Sequence, residues 1–157
     1  MGDALQLASA ASAEQLEEAR SLFRAYAREL GEDLCFQGFE AELAGLPGKY
    51  GPPDGRLILA ACARQIAGCV ALRRLSAGDC EMKRLYVPPG FRGRGIGRAL
   101  AEAVVSAARQ PGYRRMVLDT LARLRPALRL YELLGFRPVA PYYENPLDEV
   151  VYLGLDL

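Results

Sequence analysis

A chain of 157 residues, half of them apolar and a quarter charged, has the size and composition of one globular domain, and no apolar run nears the roughly 18 residues that a membrane span needs. Histidine is absent, which removes Ser-His-Asp and Cys-His hydrolases and most catalytic zinc sites together; no metal is expected, and proton chemistry falls to carboxylate, Tyr, Lys, Cys or water. The formal net charge of +1 is unevenly spread, with acids dominant from Asp3 to Asp54 and Arg and Lys from Lys83 to Arg137. Something anionic is expected on the second half, and a small polyphosphate suits it better than nucleic acid, because the arginines are not interleaved with aromatics.

The start, MGDALQLASAASAEQ, lacks the basic and apolar segments of a secretory leader, and Gln6 stands where a myristoylation site on Gly2 prefers Ser or Thr. A cytoplasmic protein is expected. LQLAS reads as a short strand. Ser12 is a candidate N-cap for a helix in which Leu16, Ala19, Phe23 and Tyr26 recur at helical spacing and which stops at Gly31. Phe36 to Leu46 suits a second short helix, and PGKYGPPDG, dense in Gly and Pro, a loop long enough to border a site.

RLILAACA and RQIAGCVALRRL read as strands joined by a tight turn near Arg64–Gln65, and CEMKRLYV as the third strand of an antiparallel meander. Its apolar residues fall at Cys80 and Met82, then at Leu85 and Val87, so the parity slips near Lys83–Arg84. One inserted residue, a β-bulge, restores a single buried face. Beyond lie the loop PPGFRGRGIG, a helix through Arg109 with Ile96, Leu100, Ala103 and Val104 on one stripe, and a strand MVLDT. A helix PALRLYELLG, from Pro126 to Gly135, and a last strand VVYLGLDL follow. Interleaved strands and helices predict an α/β fold: residues 1–157 as a single domain with a mixed sheet and helices on both faces. Cys35, Cys62, Cys69 and Cys80 form no CxxC pair and are expected as buried free thiols.

RGRGIG follows a strand and opens a helix, so its backbone N–H groups and the positive end of the helix dipole converge on one spot, where an anion belongs. Gly93, Gly95 and Gly97 allow close backbone approach, and Arg92 and Arg94 add charge. Two rival phosphate motifs fail. The Walker pattern needs Gly-Lys followed by Ser or Thr, where this chain has Gly97-Arg98-Ala99. The dinucleotide fingerprint needs a glycine where Arg98 stands, although Asp119 lies near the distance at which its acid is found.

RLYVPPGFRGRGIGRAL resembles the signature of the GCN5-related N-acetyltransferases (GNAT), whose Arg/Gln-x-x-Gly-x-Gly/Ala matches Arg92, Gly95 and Gly97. ALRLYELLGF is similar to that family's late helix, with its tyrosine at Tyr131 and its closing Gly-Phe at Gly135–Phe136. Leu124 stands where the family often has Asn. The resemblance implies a GNAT-like, mostly antiparallel sheet whose bulged strand splays from its neighbour to admit acetyl-CoA. Backbone groups at Leu85, Tyr86 and Val87 would bond the pantetheine arm. The turn of Arg92, Gly93, Arg94, Gly95, Ile96, Gly97 and Arg98 would hold the pyrophosphate. The implied activity is acetyl transfer from acetyl-CoA to a primary amine by direct attack in a ternary complex, with no nucleic acid or membrane as partner and a homodimer left open. The alternative is a domain of this fold that binds acyl-CoA as a sensor without turnover.

Such transfer needs a neutral amine set against the thioester and a proton for the departing thiolate. Tyr131 sits where the family places its thiolate acid. Glu81 is the only carboxylate in the strand before the loop and lies eleven positions before Arg92, a spacing that resembles that of the base glutamate in the histone-acetylating branch. Glu81 is therefore expected as the base, directly or through water. Tyr50 in the long loop, and Tyr142, Tyr143 and Asn145 in PYYENP, are candidates to border the acceptor. The acceptor itself stays open among small amines, amino acids, polyamines, aminoglycosides and protein amines.

Overall fold

The computed structural model describes residues 4–157, so Gly2 lies outside it. In chain order the elements are β1 (Gln6–Ser9), α1 (Ala13–Leu30), α2 (Phe39–Ala44), β2 (Arg56–Cys62), β3 (Gln65–Arg74), β4 (Asp79–Tyr86), α3 (Ile96–Arg109), β5 (Arg115–Leu121), α4 (Arg125–Leu133), β6 (Arg137–Pro138) and β7 (Val150–Asp156). Ser12 caps α1 as expected: its hydroxyl accepts from the Gln15 N–H at 3.1 Å, the Gln15 side chain accepts from the Ser12 N–H at 3.0 Å, and Gly31 closes the helix in the left-handed region. A cap of this kind contributes about 1 kcal/mol.

The second predicted helix is broken. Gly38, at φ 68°, separates a 3-10 turn over Cys35–Gln37 from α2. The β2–β3 hairpin turns one residue earlier than expected, because Ala63 and Arg64 both take positive φ, the geometry that matches the twist of a two-residue hairpin. The two-residue strand β6 went unforeseen; Pro138 cannot donate to a ladder and so sits on the sheet edge. Of the four free cysteines, Cys69 and Cys80 are buried, but Cys62 is half-buried and Cys35 exposed, since Cys35 lies on the 3-10 turn rather than on a strand.

All seven strands join one sheet in the order β1-β2-β3-β4-β5-β7-β6, antiparallel throughout except for the β4–β5 pair. Each face carries its own core. Leu72, Met82, Leu100, Val104, Met116 and Leu118 pack on the side of α3 and α4. Phe23, Leu43, Tyr50, Leu59 and Cys69 pack on the side of α1 and α2. Fully buried side chains of this size are worth about 1.5–3 kcal/mol each.

Two irregularities position the site. Register runs from Ala71↔Lys83 to Cys69↔Tyr86, so β4 holds one residue more than β3 across this stretch, and Arg84 takes φ 60°. This is the bulge that the parity slip predicts. Parallel pairing of β4 with β5 covers only Asp79↔Arg115, Cys80↔Met116 and Glu81↔Val117. Past Glu81 the two strands diverge, leaving backbone groups on their facing edges without ladder partners from each other.

Candidate active site

Two adjoining cavities occupy the splay. The larger, about 540 Å³, is lined by Leu85, Tyr86 and Val87 of the bulged strand, by Phe91, Arg92, Gly93, Gly95, Ile96 and Gly97 of the turn into α3, and by Leu130 and Tyr131 of α4. The smaller, about 80 Å³, is lined by Met82, Lys83 and Arg84 of β4, by Asp119 and Thr120 of β5, and by Gln37 and Leu147 from the flanking loops. Tyr131 and Leu124 line both.

The turn opens α3 on amides that no side chain caps. Gly95, left-handed at φ 78°, is the N-cap of the helix. A Cβ added at Gly97 would meet only Val87 Cγ2 at 3.7 Å and Leu130 Cδ2 at 3.9 Å, so the bare backbone leaves open room rather than filling a packing gap. An apolar channel ending on free amides fits a pantetheine arm with a pyrophosphate. Arg92 is fixed over this end: its Nε donates to the Val87 carbonyl at 2.8 Å, its NH2 to Glu29 at 2.7 Å, and its guanidinium lies over the Tyr86 ring. The other two arginines of the turn are not in the lining. Arg94 stacks on Phe91 and Arg98 pairs with Glu102 one helical turn on.

Tyr131 is 7% exposed, packs edge-on against Phe136 at 5.7 Å, and stands where the two cavities meet. Burial pushes its phenol well above the ordinary value, with smaller contributions from Tyr26 and Asp119. It therefore stays protonated through neutral pH and can donate.

Glu81 does not stand open to the cleft. It lies within the paired part of β4 at 0% exposure, with Arg73 Nε 2.7 Å from Oε1, Tyr142 donating to Oε2 at 2.5 Å, and Lys83 Nζ at 4.0 Å. Its oxygens are occupied by neighbours on β3 and the loop before β7. The carboxylate that lines the smaller cavity is Asp119, on β5 past the end of the pairing. Its Oδ2 accepts from Tyr143 Oη and from Asn145 Nδ2, the latter at 2.8 Å.

The four residues expected around the acceptor thus divide. Tyr143 and Asn145 orient Asp119, and Tyr142 holds Glu81. Tyr50 corrects the loop reading, for it is 0% exposed and donates to Glu42 at 2.8 Å. That glutamate grips the bulge residue: Arg84 Nε and NH2 lie 2.8 and 3.0 Å from its two oxygens, and the guanidinium sits over Phe39. Gln37 was missed: it donates to Tyr143 at 3.1 Å while its Oε1 is buried without a partner. Lys83 faces the smaller cavity.

No group of three or more Cys, Asp or Glu among the described residues is placed to hold a metal ion, and no described helix is long and apolar enough to cross a membrane.

Comparison with known proteins agrees with this geometry. The chain is 43% identical over 146 residues to an uncharacterized N-acetyltransferase of Schizosaccharomyces pombe, covering 92% of this chain and 90% of that one. Its fold superposes on the crystal structure of a GNAT-family acetyltransferase from Staphylococcus aureus Mu50 with a TM-score of 0.81 at 20% identity, covering 98% and 99% of the two chains. A GNAT-family acetyltransferase from Elizabethkingia anophelis, solved with acetyl-CoA bound, is 27% identical with a TM-score of 0.57 over 66% of this chain and 77% of its own. Residues 16–136 match the Acetyltransferase (GNAT) family, and with the splayed sheet, the bulge and the glycine turn all in place, the chain belongs to it.

Proposed function

We propose that this acetyl-CoA-dependent N-acetyltransferase receives acetyl-CoA in the larger cavity and a small primary amine in the smaller one, and that the amine attacks the thioester directly in a ternary complex. The observation that carries this reading is the end of β4–β5 pairing at Glu81↔Val117, with the two cavities meeting at Tyr131 beyond it. Neither cavity is lined by a cysteine, the side chain best suited to take an acyl group from a thioester, which speaks for direct transfer over an acylated enzyme.

In this reading the amides of the Gly93–Gly97 turn and Arg92 hold the pyrophosphate, and the open edge at Leu85–Val87 bonds the arm. Asp119 Oδ1, left free while Tyr143 and Asn145 hold Oδ2, draws in the amine and takes its proton directly or through water. As the amine nitrogen bonds to the carbonyl carbon and the carbon–sulfur bond breaks, Tyr131 donates its proton to the sulfur and recovers one from solvent. Arg73 pairs with Glu81 and Tyr142 donates to its other oxygen, so its role is to hold the wall of the site.

The reading keeps the protein in the cytoplasm, in accord with four free thiols, and assigns the whole chain to one domain. A panel of amines assayed for CoA release tests the activity. Acetyl-CoA binding with no turnover on any amine would favour the sensor alternative.

A further inference from the structure

Lys83 is a buried charge for which no bonded partner is found among the described residues. Its side chain is 6% exposed, yet its one ion pair is the 4.0 Å approach to Glu81 Oε1, beyond hydrogen-bond range. That oxygen already lies 2.7 Å from Arg73, and the other accepts from Tyr142. The neighbouring cation, Arg84, is fully matched by Glu42. Among the described residues the Lys83 ammonium, with three donors, has no acceptor within bonding distance, and it lines the cavity of about 80 Å³. A buried cation left this way is costly unless something anionic arrives.

The same small space presents Asp119, a carboxylate with one free oxygen, on the opposing strand. Opposite charges lining so small a space match a molecule that carries both charges a bond or two apart. Polyamines and aminoglycosides would bring further cations against Lys83, and a protein lysine would bring no anion. We propose that the acceptor is a free amino acid, its carboxylate held by Lys83 and its amine by Asp119; this rests on the acetyl-transfer reading above. The electrostatics agree. Burial, with help from Arg84 and Lys49, lowers the Lys83 pKa to about 8 against the pull of Glu81 and Asp119, and a bound carboxylate restores the balance.

The test is calorimetric titration of the CoA-loaded protein with each of the common amino acids and, for those that bind, with the matching amino-acid amide. It is repeated on Lys83→Met and Lys83→Arg, with acetyl-CoA affinity as the check on folding. The expected result is binding of at least one amino acid, at least tenfold weaker for its amide. That preference should be abolished in Lys83→Met and partly kept in Lys83→Arg, and in turnover the loss should appear in KM. The proposal is overturned if no amino acid binds, if amide and acid bind alike, or if Lys83→Met keeps the preference. A fall in kcat at constant KM for every amine would also overturn it, by marking Lys83 as a base. Because the acid–amide comparison uses the unaltered protein, it decides the matter even where a variant fails to fold. Amino-acid binding without acetyl transfer would support the carboxylate site and sink the catalytic reading. Transfer to carboxylate-free amines, indifferent to Lys83, would do the reverse.

Discussion

Gly97→Ala separates the two jobs that a helix-opening glycine can have. In the protein without cofactor the added methyl meets nothing closer than Val87 at 3.7 Å, an ordinary contact, and Gly97 lies in α3 just after its N-cap. Alanine in place of glycine within a helix gains about 0.5–1 kcal/mol. At about 2–4 °C per kcal/mol for a chain of this size, the melting temperature should rise by roughly 1–4 °C. Binding moves the other way. The methyl projects into the larger cavity, between the proposed pyrophosphate and the amides that receive it, and a hydrogen bond to a charged group is worth about 1.5–3 kcal/mol. Loss of one such bond weakens acetyl-CoA affinity roughly ten- to hundredfold. Thermal melts with and without acetyl-CoA, together with calorimetric titration, read both quantities on one sample. A variant that melts higher and binds acetyl-CoA within twofold of the parent would show that the turn does not hold the pyrophosphate.

Three other outcomes follow from the site and its walls. Tyr131→Phe keeps the packing against Phe136 and removes the proton, so kcat should fall about a hundredfold or more at constant acetyl-CoA affinity; an unaltered kcat with chemistry rate-limiting leaves Tyr131 as packing alone. Asp119→Asn should lower kcat/KM for the amine by a similar factor, whereas Glu81→Gln, set among Arg73, Lys83 and Tyr142, should mainly lower the melting temperature. The reverse pattern in steady-state kinetics and melts would return the base to Glu81. Glu42→Gln leaves Arg84 buried with a weaker partner and should cost about 3 kcal/mol, hence roughly 6–12 °C in Tm. Burial alone would raise the Glu42 pKa, but the Arg84 hydrogen bonds and charge, with Tyr50 and Lys49, outweigh it and lower the value. The folded pKa therefore lies below the unfolded one. The stabilisation is full above the unfolded pKa near 4.5 and fades as pH falls through the folded value, so the gap between parent and variant melts should close in acid. A gap that persists at low pH would refute the assignment.

Local signals were legible where a residue type has one physical use. Ser12 announced the α1 cap, Gly31 its end, and the slip from Cys80 and Met82 to Leu85 and Val87 announced the bulge that Arg84 makes. The glycine turn was legible because Gly95 must be left-handed and Gly97 must leave room. What stayed hidden depends on contacts between distant segments. Tyr50 sits in a stretch rich in Gly and Pro and is nonetheless core, because Glu42 and the bulge guanidinium lie beneath it. Asp119 drew notice only as the acid of a dinucleotide motif that fails for want of a glycine at Arg98. Its composition held a clue: Asp is a poor strand former, and one inside the apolar run MVLDT needs a reason to be there. Glu81 shows the same anomaly, and the strand pattern in the sequence does not tell the two apart. Glu81 lies at the last paired position, Asp119 beyond it.

The short junction between β4 and β5 makes the sheet two plates joined at a seam. β1 to β4 form one plate and β5 to β7 the other, with backbone pairing across the seam at three positions only. A ladder this short is the kind of place where local opening costs least. A molecule laid along the open edges acts as a strand of foreign material, tying one plate to the other. Occupancy and stiffness thus become one variable: the loaded protein is the mechanically complete one, and amide protons flanking the seam would register the arrival of cofactor as slowed exchange. It also explains why the chain can keep an interior cleft between neighbouring strands without collapse, since the α1–α2 layer and the α3–α4 layer clamp the plates from either side while the gap waits to be filled.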